Sequence, residues 1–158
     1  MNTAYVAARI KEVDEAIALV KKGLPADPKL QAYLAGYLCV MASGVYETAI
    51  ETLFCEYAKK NGNPEICTFM RETMDKTFRN PDSGKIKEYL KRLDTGWAQK
   101  LDGLLQAGTH DCTGLDSIVN NKNQLAHGLL CSATVADVEK FHGQSVPVIS
   151  AIEGLLGL

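Results

Sequence analysis

Between residues 118 and 128, three side chains have types and spacing that could act on a phosphodiester. In Ile118-Val119-Asn120-Asn121-Lys122-Asn123-Gln124-Leu125-Ala126-His127-Gly128, an ammonium, an amide and an imidazole precede a glycine suited to ending a helix. Each helical residue advances about 100°, so Asn123 and His127, four apart, share a face. Lys122 falls on another line with Ile118, Leu125 and Leu129, and a lysine on an apolar stripe either meets an anion or extends its ammonium into water. Carbonyls left open at a helix C-terminus favour a protonated imidazole. A histidine there, beside a cation, suits attack of a ribose 2′-hydroxyl on the adjacent phosphate. His127 would move the proton, Lys122 would offset charge developing on the phosphoryl oxygens, and Asn123 would orient the imidazole or the phosphate. That chemistry requires neither metal nor cofactor. Each residue alone also has an ordinary role: His127 as a C-cap, Lys122 as a snorkelling surface lysine, Asn123 as a solvated helix residue.

The elements that must position these groups read as helices. Val6, Ile10, Val13, Ile17 and Val20 recur every three or four residues, and Gly23 and Pro25 stop them. A long second helix is expected from about Asp27 to Lys60, with Leu30, Leu34, Leu38, Met41, Val45, Thr48 and Thr52 at helical spacing. Asn61-Gly62-Asn63-Pro64 should close it through a left-handed terminal residue. Further helices are expected over 64–77, 85–93 and 97–105. A turn at 80–84 and a loop at 108–114 separate them, and the helix bearing the motif follows from Leu115 to His127. Ser132 or Thr134 should start the last helix, with Gly143 and Pro147 breaking or kinking it. No strand-period alternation occurs. The expected architecture is an all-α bundle with two long antiparallel helices at its N-terminal end, one domain over residues 1–158.

Composition narrows the function classes. Apolar residues are 46% and charged residues 23% of the 158, the balance of a folded globular chain. No stretch reaches the roughly eighteen uninterrupted apolar residues of a membrane helix, and the N-terminus lacks a basic region followed by an apolar core, so neither membrane attachment nor export is expected. Five cysteines with no C-x-x-C pair suit free thiols in a reducing cytoplasm. His110, Cys112, Cys131 and His142 match no zinc spacing, and no metal is expected. The net charge of -2 gives no long-range pull on nucleic acid, so RNA contacts would need a local basic patch. Lys85, Lys87, Lys91 and Arg92 are the first choice for backbone contacts, following Lys59, Lys60, Arg71, Lys76 and Arg79; the ordinary reading of such a run is a solvated face. Tyr33, Tyr37 and Tyr46 at helical spacing suggest core or interface rather than base stacking.

The segment Lys122-Asn123-Gln124-Leu125-Ala126-His127-Gly128 resembles Arg-Asn-x-x-Ala-His-Gly, a frequent form of the HEPN superfamily signature. Tyr33-Leu34, Ser43-Gly44-Val45-Tyr46-Glu47 and Thr134-Val135-Ala136-Asp137-Val138 resemble its RiboL-PSP branch. The resemblance covers most of the chain. It implies an α-helical bundle that commonly dimerises with both motifs facing one cleft. It also implies a metal-independent endoribonuclease, often a toxin or defence effector, that leaves a cyclic phosphate. RNA, a second copy and a neutralising antitoxin or regulatory protein are the partners it suggests. Lys122, Asn123 and His127 take the motif positions. To them we add Glu47, which from the second helix beside Gly44 could approach the motif and hold Lys122; its ordinary reading is a solvated helix carboxylate. Lysine in place of the family's arginine keeps a point charge but loses the planar fork that grips two oxygens. A second expectation is therefore an HEPN module with a weak or silent site that binds RNA or a partner protein.

Overall fold

The computed structural model describes residues 3–62 and 64–158, and all regular elements among them are helices. Met1, Asn2 and Asn63 lie outside the described residues, Asn63 being one member of the expected stop before the third helix.

Helix α1 (Ala4–Lys22) buries Val6, Ile10, Val13 and Ile17, the narrow apolar line legible in the sequence. Lys21 and Lys22 suit its carbonyl end, and the Gly23 N–H closes on the Leu19 carbonyl at 3.2 Å. Helix α2 (Pro28–Asn61) opens on Asp27, whose carboxylate accepts the Lys29 and Leu30 N–H groups at 2.7 and 3.3 Å. At its far end Gly62 has φ −117°, not the left-handed conformation expected. Glycine is suited there because a Cβ would stand 2.8 Å from the Ala58 carbonyl oxygen.

The apolar stripe expected on α2 is displaced around the helix. Leu30 and Thr48 are exposed and Leu34, Met41 and Thr52 half-buried, while the buried face includes Ala35, Leu38, Cys39, Ala42, Val45, Tyr46, Ala49 and Leu53. Because α2 touches α1, α3, α6 and α7, its contact faces favour small residues that let neighbours approach closely. Length and mean apolarity would also let α2 cross a membrane, although no uninterrupted apolar run marks it. With 61% of that window buried, most of its apolar surface packs in the core.

Polar contacts fix the helix directions. Thr3 N–H to Glu153 at 2.7 Å, Asp14 to His142 at 3.0 Å and Lys21 to Glu139 at 2.7 Å run α1 antiparallel to α7 (Val135–Leu155). Tyr46 to His142 at 2.6 Å and Lys60 to the Gly157 carbonyl at 2.5 Å set α2 parallel to α7, so α1 and α2 form the antiparallel pair expected. Helix α6 (Thr113–Ala126) lies antiparallel to α7. It starts before the expected Leu115 because Asp111 accepts the Thr113 N–H at 2.9 Å and the next residue, Gly114, is already buried against α7. A Cβ on Gly114 would meet the Phe141 carbonyl oxygen at 2.5 Å, so this crossing requires a glycine.

Helices α3 (Pro64–Thr77), α4 (Ser83–Leu93) and α5 (Trp97–Ala107) complete the bundle. Phe54, Phe78 and Tyr89 join the end of α3 and α4 to α2 in an aromatic cluster with ring centroids 4.9 to 6.4 Å apart, and Trp97 of α5 meets Tyr57 of α2 at 5.2 Å. Helix α7 starts at the expected Thr134, which shares a reciprocal capping box with Asp137. It then runs through Gly143 and Pro147 without the expected break. Val148, Ile149 and Ile152 are fully buried just beyond Pro147, and this packing carries the helix past a residue with no N–H for the Gly143 carbonyl.

Candidate active site

The motif occupies the C-terminal turn of α6, where the backbone explains Gly128 completely. The Leu129 N–H reaches the Gln124 carbonyl and the Gly128 N–H the Leu125 carbonyl, both at 3.0 Å, with Gly128 at φ +76°. This is a Schellman ending, and the left-handed residue is the glycine that tolerates it. His127 is the C-cap. Its backbone N–H closes on Asn123 and Gln124, while its imidazole is exposed and, among the described residues, has no hydrogen-bond or ionic partner. Asn123 is half-buried one turn earlier.

Lys122 projects from another side of α6, as its spacing indicates. Ile118 on the same line is fully buried, and Leu125 packs toward Gly36 of α2, where an added Cβ would stand 3.0 Å from a Leu125 methyl. Half-buried between them, Lys122 donates from Nζ to Asn80 Oδ1. Leu129, the last residue of the expected line, is exposed because the helix has ended.

Asn80 sits in the α3–α4 turn at φ +55°, a conformation that asparagine tolerates better than most residues. Two carboxylates anchor this turn. Glu47 of α2 accepts the Asn80 N–H at 3.1 Å and an Arg79 Nη1–H at 2.8 Å. Asp116 of α6 accepts the Ser83 N–H and hydroxyl, each at 2.7 Å. Glu47 does not hold Lys122 directly; Asn80 stands between them. The expected helper, Gly44, has open space where a Cβ would be, and the close approach to α6 occurs at Gly36.

Arg79 and Asn80 are the site neighbours that sequence reasoning missed. Arg79 stood in the basic run without a distinguishing signal, and Asn80 read only as a turn former. Contact with Glu47 raises the Arg79 pKa above its ordinary value.

Asn121, beside Lys122, braces the loop after the motif. It is only 7% exposed. Its Oδ1 accepts the Ser132 and Ala133 N–H groups, both at 3.2 Å, the Ser132 hydroxyl at 3.1 Å and the Cys131 thiol at 3.3 Å. Its amide donates to the Ser117 carbonyl at 2.9 Å.

The basic residues chosen for RNA contacts do not share one face. Lys85 donates to the Arg79 carbonyl at 2.7 Å, which places it next to the site turn. Lys87 pairs with Asp102 at 2.7 Å, and Arg92 pairs with Glu88 at 2.5 Å while lying over the Tyr89 ring. Lys91 is exposed. Tyr46 is buried, whereas Tyr33 and Tyr37 are 50% and 60% exposed.

Among the described residues, no three His, Cys, Asp or Glu side chains gather into a metal-holding group. Cys131 is turned to Asn121, and burial pushes the Cys112 thiol up to about 11, which disfavours the thiolate a metal would need. His142 is buried, with Tyr46 on Nδ1 and Asp14 on Nε2; burial lowers its pKa and Asp14 partly opposes the shift. The apolar groove of about 350 Å³ between α3 and α4, lined in part by Phe54, Phe69, Met70 and Leu93, includes no motif residue in its walls.

A helical bundle with a basic residue, an asparagine and a histidine on the last turns of an inner helix has the make-up of an HEPN-type domain. The RiboL-PSP-HEPN family model matches residues 5–157, and the chain belongs to that family. Membership carries an RNase-type or nucleotide-binding function at the level of the superfamily. No curated protein and no solved structure matches the chain.

Proposed function

We propose that the protein is a metal-independent endoribonuclease of HEPN type, a cytoplasmic toxin or defence effector whose site is completed by a second copy of the chain. Lys122 carries this reading: a half-buried ammonium held by a neutral amide oxygen, with no carboxylate partner among the described residues. A cation left uncompensated in a partly dry position favours an anion, and the exposed imidazole on the same helix end supplies proton transfer. Lys122 and His127 leave α6 on different sides, so an RNA phosphate would answer both requirements only in a cleft that a second copy completes.

In the proposed reaction the ribose 2′-oxygen attacks the adjacent phosphorus and its proton passes to the imidazole of His127. Lys122 offsets charge on the phosphoryl oxygens, with Asn123 orienting the phosphate or the ring. The bond to the 5′-oxygen breaks, and the second protomer's imidazole protonates that leaving oxygen. The products are a 2′,3′-cyclic phosphate and a 5′-hydroxyl. Support for pairing comes from exposed apolar residues near the site: Tyr33, Tyr37 and Val40 follow one line of α2, and Leu129 and Leu130 follow the motif. A neutralising antitoxin or regulatory protein would act by covering this same end of the bundle.

The test incubates purified protein with mixed RNA in chelator beside His127→Ala and Lys122→Arg. Loss of cleavage in His127→Ala supports the catalytic assignment, and equal cleavage by it refutes that assignment. The reading of the chain as a binding module rests on lysine at the arginine position, where it makes a single point contact. No cleavage by either wild type or Lys122→Arg, with RNA or a protein still tightly bound, would favour the module. A protein that is strictly monomeric at micromolar concentration would remove the composite site.

A further inference from the structure

We propose that Arg79 forms a second phosphate subsite beside the motif, gripping the RNA phosphate next to the scissile one. This inference rests on the ribonuclease reading for the identity of its strand, but its geometry is independent of His127. Lys122 is tied to Asn80, and Asn80 follows Arg79 directly, with Cα atoms about 3.8 Å apart across the peptide. Asn80 thus has one cation on its side chain and another on the residue before it. Glu47 holds both parts of this arrangement, one carboxylate oxygen on the Arg79 side chain and the other on the Asn80 N–H.

The arrangement suits a backbone subsite for three reasons. Glu47 is largely covered, at 14% side-chain exposure, while Arg79 is 57% exposed, so the pair is anchored from below with guanidinium facing solvent. Arginine has five N–H donors. Glu47 takes one from Nη1, and Asp75 draws on Nη2 through its carbonyl and, at 3.4 Å, its carboxylate, which leaves Nε–H and one Nη1–H on different edges of the guanidinium, each able to meet an incoming anion singly. A planar fork already held in place loses less freedom on binding than a mobile lysine. The Lys85 ammonium on the Arg79 carbonyl adds a third positive group and offsets part of the charge of Glu47 and Asp75. The subsite thereby adds a guanidinium donor on the residue next to Asn80, the partner of Lys122.

The experiment compares wild type, Arg79→Ala, Arg79→Lys and His127→Ala on three probes. These are a short oligoribonucleotide, a dinucleoside monophosphate with only the scissile phosphate, and an all-2′-deoxy strand that binds without being cut. Loss of one charge-assisted phosphate contact should raise the oligoribonucleotide KM about tenfold in Arg79→Ala while kcat changes less than about twofold. Arg79→Lys should fall between, and cleavage of the dinucleoside monophosphate should be unaffected. On the deoxy strand the slope of log K against log salt should drop by about 0.7. Equal loss on the dinucleoside monophosphate would place Arg79 at the scissile phosphate or in the fold and overturn the subsite. Unchanged affinity and salt slope would overturn it too. If wild type cleaves nothing, or His127→Ala cleaves as well as wild type, the ribonuclease reading falls alone; the deoxy-strand comparison still decides the subsite, loss supporting it and no change refuting it.

Discussion

Replacing Asn121 with alanine should detach the loop that follows the motif, at a cost the hydrogen bonds allow to be worked out. The substitution removes the acceptor for the Ser132 and Ala133 N–H groups. Ser132 is exposed, so its amide can turn to water and the loss is about 0.5–1.5 kcal/mol. Ala133 is buried, and its orphaned N–H costs about 1–3 kcal/mol. The Ser117 carbonyl keeps its helical partner and adds little. The sum is about 1.5–4.5 kcal/mol, which for a chain of this size lowers Tm by roughly 3–18 °C. Urea denaturation gives the free energy, and hydrogen exchange at the Ala133 amide locates it. Cleavage should weaken as well, since the same loop carries Leu129 and Leu130 and joins His127. A loss under about 0.5 kcal/mol, with the Ala133 amide still protected, would refute the bracing role of Asn121.

Three further outcomes are expected. His127→Ala, at an exposed cap with an unpartnered imidazole, should shift stability by no more than about 0.5 kcal/mol by urea denaturation while abolishing cleavage; a large loss of stability would give the ring a structural role instead. Gly114→Ala should destabilise by about 1–2 kcal/mol, because overpacking against the Phe141 carbonyl outweighs the gain in helix propensity; a stabilised variant in thermal melting would show that the α6–α7 crossing yields. His142 is held neutral by burial among α1, α2 and α7, facing Asp14, Tyr46 and Ser145 with the Lys21–Glu139 pair at the rim. Its folded pKa lies below its unfolded one, so the folded state binds fewer protons: stability is full above the ordinary histidine value of about 6.5 and declines as pH falls below it. His142→Asn should flatten that decline in urea titrations between pH 7 and 5, and an unaltered slope would assign it to other groups.

Much of this fold was legible because local chemistry sets it. Val6 to Ile17 mark one face of α1, Asp27 and Thr134 cap helices where their side chains indicate, and Pro64 opens α3. The buried face of α2 was less legible, since Ala35, Cys39 and Ala42 carry little hydrophobic signal until neighbouring helices demand small residues. The break expected at Pro147 is absent because the core contacts of Val148 and Ile149, which a local reading does not contain, outweigh the proline's local penalty. At the site, Lys122 and His127 stood out by type and spacing. The Glu47–Asn80–Lys122 connection did not, because it joins three chain segments through a turn whose position depends on Asp116 and Glu47 together. Asn121 carried no sequence signal either, its partners lying ten to twelve residues on in a loop with no pattern of its own.

Glycines fix the motif helix near both ends, Gly114 at its own start against α7 and Gly36 of α2 against Leu125 near its finish. A rod seated at two such points can neither slide nor roll without backbone meeting backbone or side chain. The turns on either side are tied as well, the one carrying Arg79 and Asn80 to Glu47 and Asp116 and the one following His127 to Asn121. The whole end of the bundle is thus a preset mould, and a change in what it accepts should require a change in one of these anchoring side chains.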